Sequence, residues 1–518
     1  MPRPVPHEIV WIRCLRWPPS ASYSGGTPFR TEGTRMDRIH RRDSGLVVPA
    51  NFIRAVRESG YLSVSSALAE LVDNSLQAGA TVVDIRVDRD ADRNLPRITI
   101  EDNGGGMDTA ELAACLRFGG SSRFDARDSF GRFGMGLPTA SLSQARRIEV
   151  TAWRPGSAAQ SVTLDVDAVA TGRPADLAPA PGAAGASPSG CRVVWYDCDR
   201  IEYQRLAWLE RALHKDLGRM FRRFLTGAVT LRINGSIVEA SDPTMRSTTL
   251  HGHTARLAFE PLQYEIATAT GSTSQVTVTF TMLPVAQWHN LDNTTKRRRG
   301  IVGGGGISIL RAGREIANGW HLMGGKRKEN YDDWWRCEIE FHPALDEHFG
   351  ITVNKQGIRP TATLREALEP ELESIARILN ARVRQAFEEV KFEAAVQGSC
   401  RIAGAADADL PVIRSRGRAQ GALSYRLGVN QLTGDSMFDL TLRQRLLDVT
   451  MNTDHPGYTA LYRPLQEMGD AAAPVRTALD LLLLSFARSV AAAGPHEDDY
   501  RSLLQEWGTT YGRMLEKS

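Results

Sequence analysis

Residues 66–80 of this 518-residue chain, Ser-Ala-Leu-Ala-Glu-Leu-Val-Asp-Asn-Ser-Leu-Gln-Ala-Gly-Ala, constrain its folding most. Ala67, Leu68, Leu71, Val72 and Leu76 recur at helical spacing and predict one apolar helix face. Glu70, Asp73 and Asn74 stand at i, i+3 and i+4, so they project from one side of that helix. No lysine or arginine lies between Ser59 and Arg86, so the neighbouring sequence offers these acids no cation. Such a carboxylate–amide cluster suits a hydrated magnesium ion and an activated water. A solvated acidic stripe is the plain alternative, and the helix alone does not separate the two.

The flanking chain is punctuated clearly. A short helix is expected over 49–61, with Phe52, Ile53 and Val56 apolar. The central helix should start near Ser63 and stop at Gly79. Alternating Val83, Ile85 and Val87 predict a strand over 81–88, and Ile98 and Ile100 a second over 97–101. That strand runs into Asp102-Asn103-Gly104-Gly105-Gly106-Met107-Asp108, where a strand end holds one carboxylate and glycines permit close backbone approach. Asp108 with Glu111 at N3 predicts a capped helix through about Arg117. A polar loop over 118–130 ends in Gly131-Arg132-Phe133-Gly134-Met135-Gly136-Leu137, a glycine-rich turn opening a helix to about Gln144. Backbone amides at such a helix start favour an anion. A strand follows over 148–153.

The order Glu70-x-x-Asp73-Asn74, Asp102-x-Gly104-x-Gly106, Gly131-x-x-Gly134-x-Gly136 resembles the nucleotide site of the GHKL ATPase superfamily. That superfamily holds gyrase B, the ninety-kilodalton heat-shock chaperones, histidine kinases, MutL and the MORC proteins. The flanks ALAELVDNSLQAGA and FGRFGMGL look most like the MORC and heat-shock chaperone branch. The resemblance implies a Bergerat-type ATP-binding sandwich, an α/β (α+β) arrangement of helices on a mixed sheet. It implies that Glu70 polarises the attacking water and that Asn74 holds magnesium between the phosphates, with Asp73 orienting its neighbours or capping the adenine side. Asp102 would accept from the adenine amino group, with Gly104, Gly106 and Met107 beside the base and Thr151 supplying a nearby hydroxyl. The segment 118–130, with Gly119, Ser121 and Ser122, would be the ATP lid. Gly131, Arg132, Phe133, Gly134, Met135 and Gly136 would close amides on the phosphates. Arg132 stands where relatives commonly carry glutamine, and Pro138 sits at the helix start.

Further along, the Ala/Gly/Pro/Ser-rich 155–190 reads as a flexible insertion or long loop within a nucleotide domain over 46–243. A strand over 191–196, an amphipathic helix over 202–225 and a hairpin turning at Asn234-Gly235 complete that domain. A second domain is expected over 244–362, with strands over 275–282 and 335–341 and a strand pair over 306–316 around Ala312-Gly313. Lys296-Arg297-Arg298-Arg299 beside Gly303–Gly306 is either a phosphate-contacting patch or a solvated loop. In the superfamily a ribosomal-protein-like transducer domain follows the ATPase domain and sends a lysine to the γ-phosphate. Lys355, with Gln356 beside it, looks like that residue. A long helix is expected over 363–397, a linker over 398–421, and a mainly helical region over 422–518.

The composition excludes some classes. Lysine plus arginine minus acids is 63 − 60 = +3, which does not mark a nucleic-acid binder overall. Six cysteines without paired spacing read as reduced thiols of a cytoplasmic protein, and no zinc motif is visible; His342 and His348 flank an acidic segment without forming one. No apolar run spans a membrane, and the most apolar stretch, 478–493, holds Asp480 and Arg488 and reads as a buried helix. Residues 1–45 read as a disordered leader, with Met36 as an alternative start. The expectation is an ATP- and magnesium-dependent hydrolysing switch that dimerises and clamps on DNA or a client protein. The rival is a non-hydrolysing ATP-binding scaffold.

Overall fold

The computed structural model describes residues 48–61, 63–90, 94–120, 135–171, 176–203, 205–268, 271–351, 357–415, 418–419, 422–492, 497–515 and 517. Within them the chain builds three larger sheets, each with its own hydrophobic core, and one two-stranded ribbon. The expected leader over 1–45 lies outside the described residues.

The first sheet is mixed. Its strands are β1 (Val82–Arg89), β2 (Pro96–Asp102), β3 (Arg147–Trp153), β4 (Gln160–Asp165), β5 (Ala180–Pro181), β6 (Gly190–Tyr196), β7 (Thr230–Ile233) and β8 (Ser236–Ile237). Their spatial order is β5-β4-β3-β6-β2-β1-β7-β8, with β1 and β7 parallel. Period-2 alternation sorts the side chains. Ile98, Ile100 and Asp102 of β2 share a face with Val87, Ile85 and Val83 of β1 and with Trp195, Val193 and Cys191 of β6. On that face lie α2 (Val64–Gln77), α4 (Gly136–Gln144) and α6 (Leu206–Met220), and the joint core includes Leu68, Leu71, Leu142, Leu213 and Leu217. The short helices α1 (Pro49–Ser59), α3 (Thr109–Ala114), α5 (Val166–Ala170) and α7 (Arg222–Leu225) fill the ends. The hairpin at Asn234-Gly235 forms as expected, with φ of 48° and 82°. The segment 155–190 is not one long loop: it contributes β4, α5 and β5, because Val162 and Leu164 alternate into the core beside β3.

The second sheet runs β10 (Leu262–Ala267), β11 (Thr273–Met282), β14 (Trp335–Phe341), β12 (Ile307–Arg311), β13 (Arg314–Gly319), with β9 (Arg256–Leu257) also on β11. The small helices α8 (Val285–Trp288), α9 (Asn293–Arg298) and α10 (Asp346–Phe349) lie in its connections. One face, carrying Val278, Phe280, Ile309, Cys337 and Ile339, is covered by α11 (Ala362–Asp407) through Leu364, Leu368, Leu372, Leu379 and Val383. The opposite face docks on the first domain. Arg222 of α7 donates to Glu315 (2.8 Å), Ser308 (2.8 Å) and Glu338 (2.6 Å), and all four side chains are buried. Arg219 pairs with Glu315 at 2.7 Å and Arg223 with Glu338.

The helix α11 was expected to end at 397, with a linker to follow. It continues to Asp407, whose carboxylate accepts from Leu423 N, Tyr425 OH and Arg488 Nε. Its far end, with Phe392 and Val396, enters the third core. There β17 (Ser424–Asn430), β19 (Leu446–Asn452) and β18 (Phe438–Arg443) form a sheet in that order, after the small ribbon of β15 (Arg414–Ser415) and β16 (Arg418–Ala419). The helices α12 (Pro456–Glu467), α13 (Ala473–Ala492) and α14 (Glu497–Leu515) then follow, so the region is helical by length but opens on strands. The apolar stretch in α13 is buried on one side only: Asp480 is enclosed and accepts from Ser399 and Tyr462, whereas Leu482 is exposed. No helix among the described residues is long and apolar enough to cross a membrane.

Replacing Arg222 by methionine should weaken folding by about 3 kcal/mol, because Glu315 and Glu338 stay buried with one cation fewer. Chemical denaturation checks this, and an unchanged midpoint counts against the ionic docking of the two sheets.

Candidate active site

Helix α2 is built to be buried. Ser63 caps it through Ser66 N (3.2 Å), and Glu202 accepts from Val64 N at 3.3 Å. Ser65 donates to Asp216 of α6 at 2.7 Å, and the helix closes at Ala78 before Gly79. Its polar stripe is not a solvated surface: Glu70 is 3% exposed and Asp73 is 1% exposed.

Glu70 faces the start of α4. A Cβ on Gly136 would stand 2.1 Å from Glu70 Oε1, so any larger residue there would displace the carboxylate. Met135, the residue before it, supplies no side-chain cap, and Pro138 falls in the first turn, where its missing N–H has no helical partner anyway. The first-turn amides and the positive end of the helix dipole are thus turned to this wall of the site. The Tyr61 hydroxyl lies in the same enclosure: burial, then the charge of Glu70, push its pKa up, with Arg314 opposing.

Asp73 has a cation after all. Arg314 of β13 places Nε 2.9 Å from Asp73 Oδ2, with both side chains buried. The absence of lysine or arginine near residue 73 in sequence is overturned by a residue from the second domain. Asn74, half-buried, makes no side-chain hydrogen bond among the described residues, so its amide oxygen is open to a hard cation. The described residues hold no cluster of three His, Cys, Asp or Glu fit to bind a metal alone. A magnesium ion here would take Asn74 plus phosphate and water oxygens.

Asp102 ends β2 on the helix-covered face, 8% exposed. Its Oδ1 accepts from Gly104 N (2.9 Å) and Cys191 N (3.3 Å), and its Oδ2 lies 2.8 Å from Ser75 Oγ. Burial raises its pKa, and these three donors oppose the rise. The turn after it is fastened twice. Asn103 Oδ1 accepts from Thr81 N and Val82 N, both at 2.9 Å, and Arg154 donates to the Gly105 and Gly106 carbonyls and to Glu111. Gly106 adopts φ 64°, and a Cβ there would stand 2.2 Å from the Trp153 carbonyl. Met107 packs half-buried against the core, and α3 carries the expected Asp108–Glu111 capping box.

Thr151 does not join this group. It is buried, but it pairs with Arg192, which in turn pairs with Glu101, so all three side chains lie on the face away from Asp102. Cys191 holds the position beside Asp102 instead, and burial keeps its thiol pKa well up. Ser75, Cys191 and Arg154 escaped the sequence reading; the one local signal is Ser75, the next residue after Asn74 on α2. Gly119 is exposed at the end of the described loop, with Phe118 edge-on to Phe52 at 4.7 Å. Ser121, Ser122, Gly131, Arg132, Phe133 and Gly134 lie outside the described residues, as do Lys355 and Gln356. Gly357, just beyond them, donates its N–H to the Ile316 carbonyl on β13 at 3.3 Å.

In sequence, residues 62–184 match the family model described as histidine kinase-, DNA gyrase B-, and HSP90-like ATPase. Protein MICRORCHIDIA 7 of Arabidopsis thaliana is 31% identical over 103 residues, 19% of this chain and 15% of that protein. Protein MICRORCHIDIA 2 of the same plant is 36% identical over 103 residues, 19% of this chain and 16% of its own length. The DNA mismatch repair protein MutL of Shewanella amazonensis is 41% identical over 93 residues, 17% of this chain and 14% of that protein. The chain thus spans only 14–16% of the length of these relatives. Helices on a mixed sheet and the family match agree: residues 62–184 are similar to the histidine kinase-, DNA gyrase B- and HSP90-like ATPase family.

Proposed function

We propose that this protein binds ATP with magnesium and hydrolyses it, using the cycle as a conformational switch. The observation that carries this reading is the buried Glu70 carboxylate against the first residue of α4. A buried carboxylate costs stability unless it is paired or hydrogen-bonded, and one kept at the wall of a helix start is a candidate for a catalytic role. Glu70 orients a water and takes its proton in the transition state. Asp102, held by Ser75, Gly104 and Cys191, keeps acceptor capacity for an exocyclic amine of the base. The first turn of α4 stabilises phosphate charge. Magnesium, on Asn74, supplies neutralisation of the phosphates.

The macromolecular side of the switch rests on the second domain and its neighbours. Two protomers would close through their nucleotide domains with Lys355 sensing the γ-phosphate, and loss of that phosphate would reopen the clamp. DNA is the partner favoured here. Arg297, Arg298 and Arg299 on and after α9 are exposed and have no side-chain partner among the described residues, whereas Lys296 turns back to the His289 carbonyl. Three open guanidiniums in a row suit a phosphate backbone. A client protein is the other outcome of the same experiment.

Glu70→Ala should lower ATP turnover by about 10²–10⁴-fold while ATP binding persists. Wild-type protein without turnover in the presence of magnesium overturns hydrolysis and leaves the scaffold reading. Asp102→Asn should weaken ATP binding by at least about tenfold, the loss of one good buried hydrogen bond. It should not lower the melting temperature at neutral pH. The folded pKa of Asp102 is raised, so its ionised form costs stability above that value, and the cost disappears as pH falls through it. Equal ATP affinity in Asp102→Asn would remove Asp102 from the base site. DNA binding should weaken as salt rises, and the triple change of Arg297, Arg298 and Arg299 to alanine should flatten that salt dependence by up to about three phosphate contacts; a salt-independent or unchanged response points to a protein partner instead.

A further inference from the structure

The Asp73–Arg314 pair joins the polar stripe of α2 to the second domain. Arg314 opens β13 directly after the turn at Ala312 and Gly313, whose φ values of 49° and 82° set the hairpin. Its position therefore follows the second sheet and not a flexible connection. The guanidinium lies over the Phe221 ring, 5.6 Å from the centroid, and also donates to the Glu315 carbonyl at 3.3 Å. Its Nε reaches Asp73 at 2.9 Å.

This contact differs in place from the other interdomain ion pairs. Arg219, Arg222 and Arg223, which hold Glu315 and Glu338, belong to the α6–α7 end of the nucleotide domain, whereas Arg314 pairs with a residue of α2. They already dock the two domains. A further buried pair brings desolvation of two charges for little net stability. What Asp73–Arg314 adds is a grip on α2 itself, three residues from Glu70 and next to Asn74. The Tyr61 hydroxyl senses Glu70, Asp73 and Arg314 together, so these groups share one enclosure. A small rotation of the second domain displaces Asp73, and a rigid helix carries Glu70 and Asn74 with it.

We propose that Arg314 is a positioning residue for ATP hydrolysis: through Asp73 it couples the orientation of the second domain to the placement of Glu70 and Asn74. This rests on the ATPase reading above. ATP turnover at saturating ATP, ATP affinity by fluorescence titration, and thermal melting are measured on full-length wild type, Arg314→Met, Arg314→Lys, Asp73→Asn and the Asp73→Asn/Arg314→Met double variant. Arg314→Met should lower kcat by about ten- to a hundredfold, the scale of a small misplacement of a catalytic group, with ATP affinity changed far less. It should also melt lower, because Asp73 is left buried without its cation. Arg314→Lys should recover part of kcat. The double variant leaves no stranded charge and should recover the melting temperature while kcat stays low. That split separates positioning from a structural pair, which would recover both together. The double variant at wild-type kcat, or Arg314→Met and Arg314→Lys both at wild-type kcat, overturns the positioning role and leaves the ATPase reading intact. Wild type that neither binds nor hydrolyses ATP overturns both.

Discussion

Buried carboxylates set the terms for the nucleotide domain. Glu70, Asp73 and Asp102 are each nearly excluded from solvent, and each meets a different answer to the cost of charge burial. Asp73 takes a guanidinium from another domain, and Asp102 takes two amides and a hydroxyl. Glu70 is set against the first residue of α4, where a side chain on Gly136 would displace it. The three answers imply different freedoms. Asp102 is fastened from both strands and from α2, so its place is independent of the second domain. Asp73 is not, and its ion pair makes the geometry of α2 a joint property of two domains.

That joint property explains why the second sheet is polar on the face it turns to the first domain. Ser308, Glu315 and Glu338 would be poor choices for an apolar interface, yet they match the arginines of α6 and α7 in number and direction. Charge pairs have directional demands that hydrophobic contacts lack, so this interface specifies one docking arrangement. An apolar contact of the same area would tolerate sliding. The opposite face, against α11, is apolar and only has to be covered.

Much of the nucleotide domain was legible because its signals are local. Ser63 and Gly79 bound α2, the Asn234-Gly235 and Ala312-Gly313 turns form hairpins where expected, and the Asp108–Glu111 box caps α3. Failures came where partners are distant in sequence. Asp73 looked free of cations because Arg314 is in another domain. Thr151 was placed near the base by the family resemblance, but the register puts it on the far face, and a shift of one residue is all that separates the two faces. Residues 398–407 were grouped with the polar stretch up to 421 as a linker, and Asp407 finds its donors at Leu423, on β17 and on α13, outside any local window. The strand content of 160–165 was hidden by the Ala/Gly/Pro-rich composition around it.

The length of α11 then acquires a mechanical meaning. Its first half supplies core residues to the second sheet, and its last turns supply Phe392 and Val396 to the third core. At 46 residues it spans roughly 69 Å at 1.5 Å per residue. A continuous helix seated in two cores carries a rotation of one into a displacement of the other, since neither end can slip without opening packed apolar surface. Arg314 lies at one end of this path, against α2, and the sheet and helices beyond Asp407 lie at the other. A shift of the second sheet therefore meets a continuous helix that is packed into the third core as well.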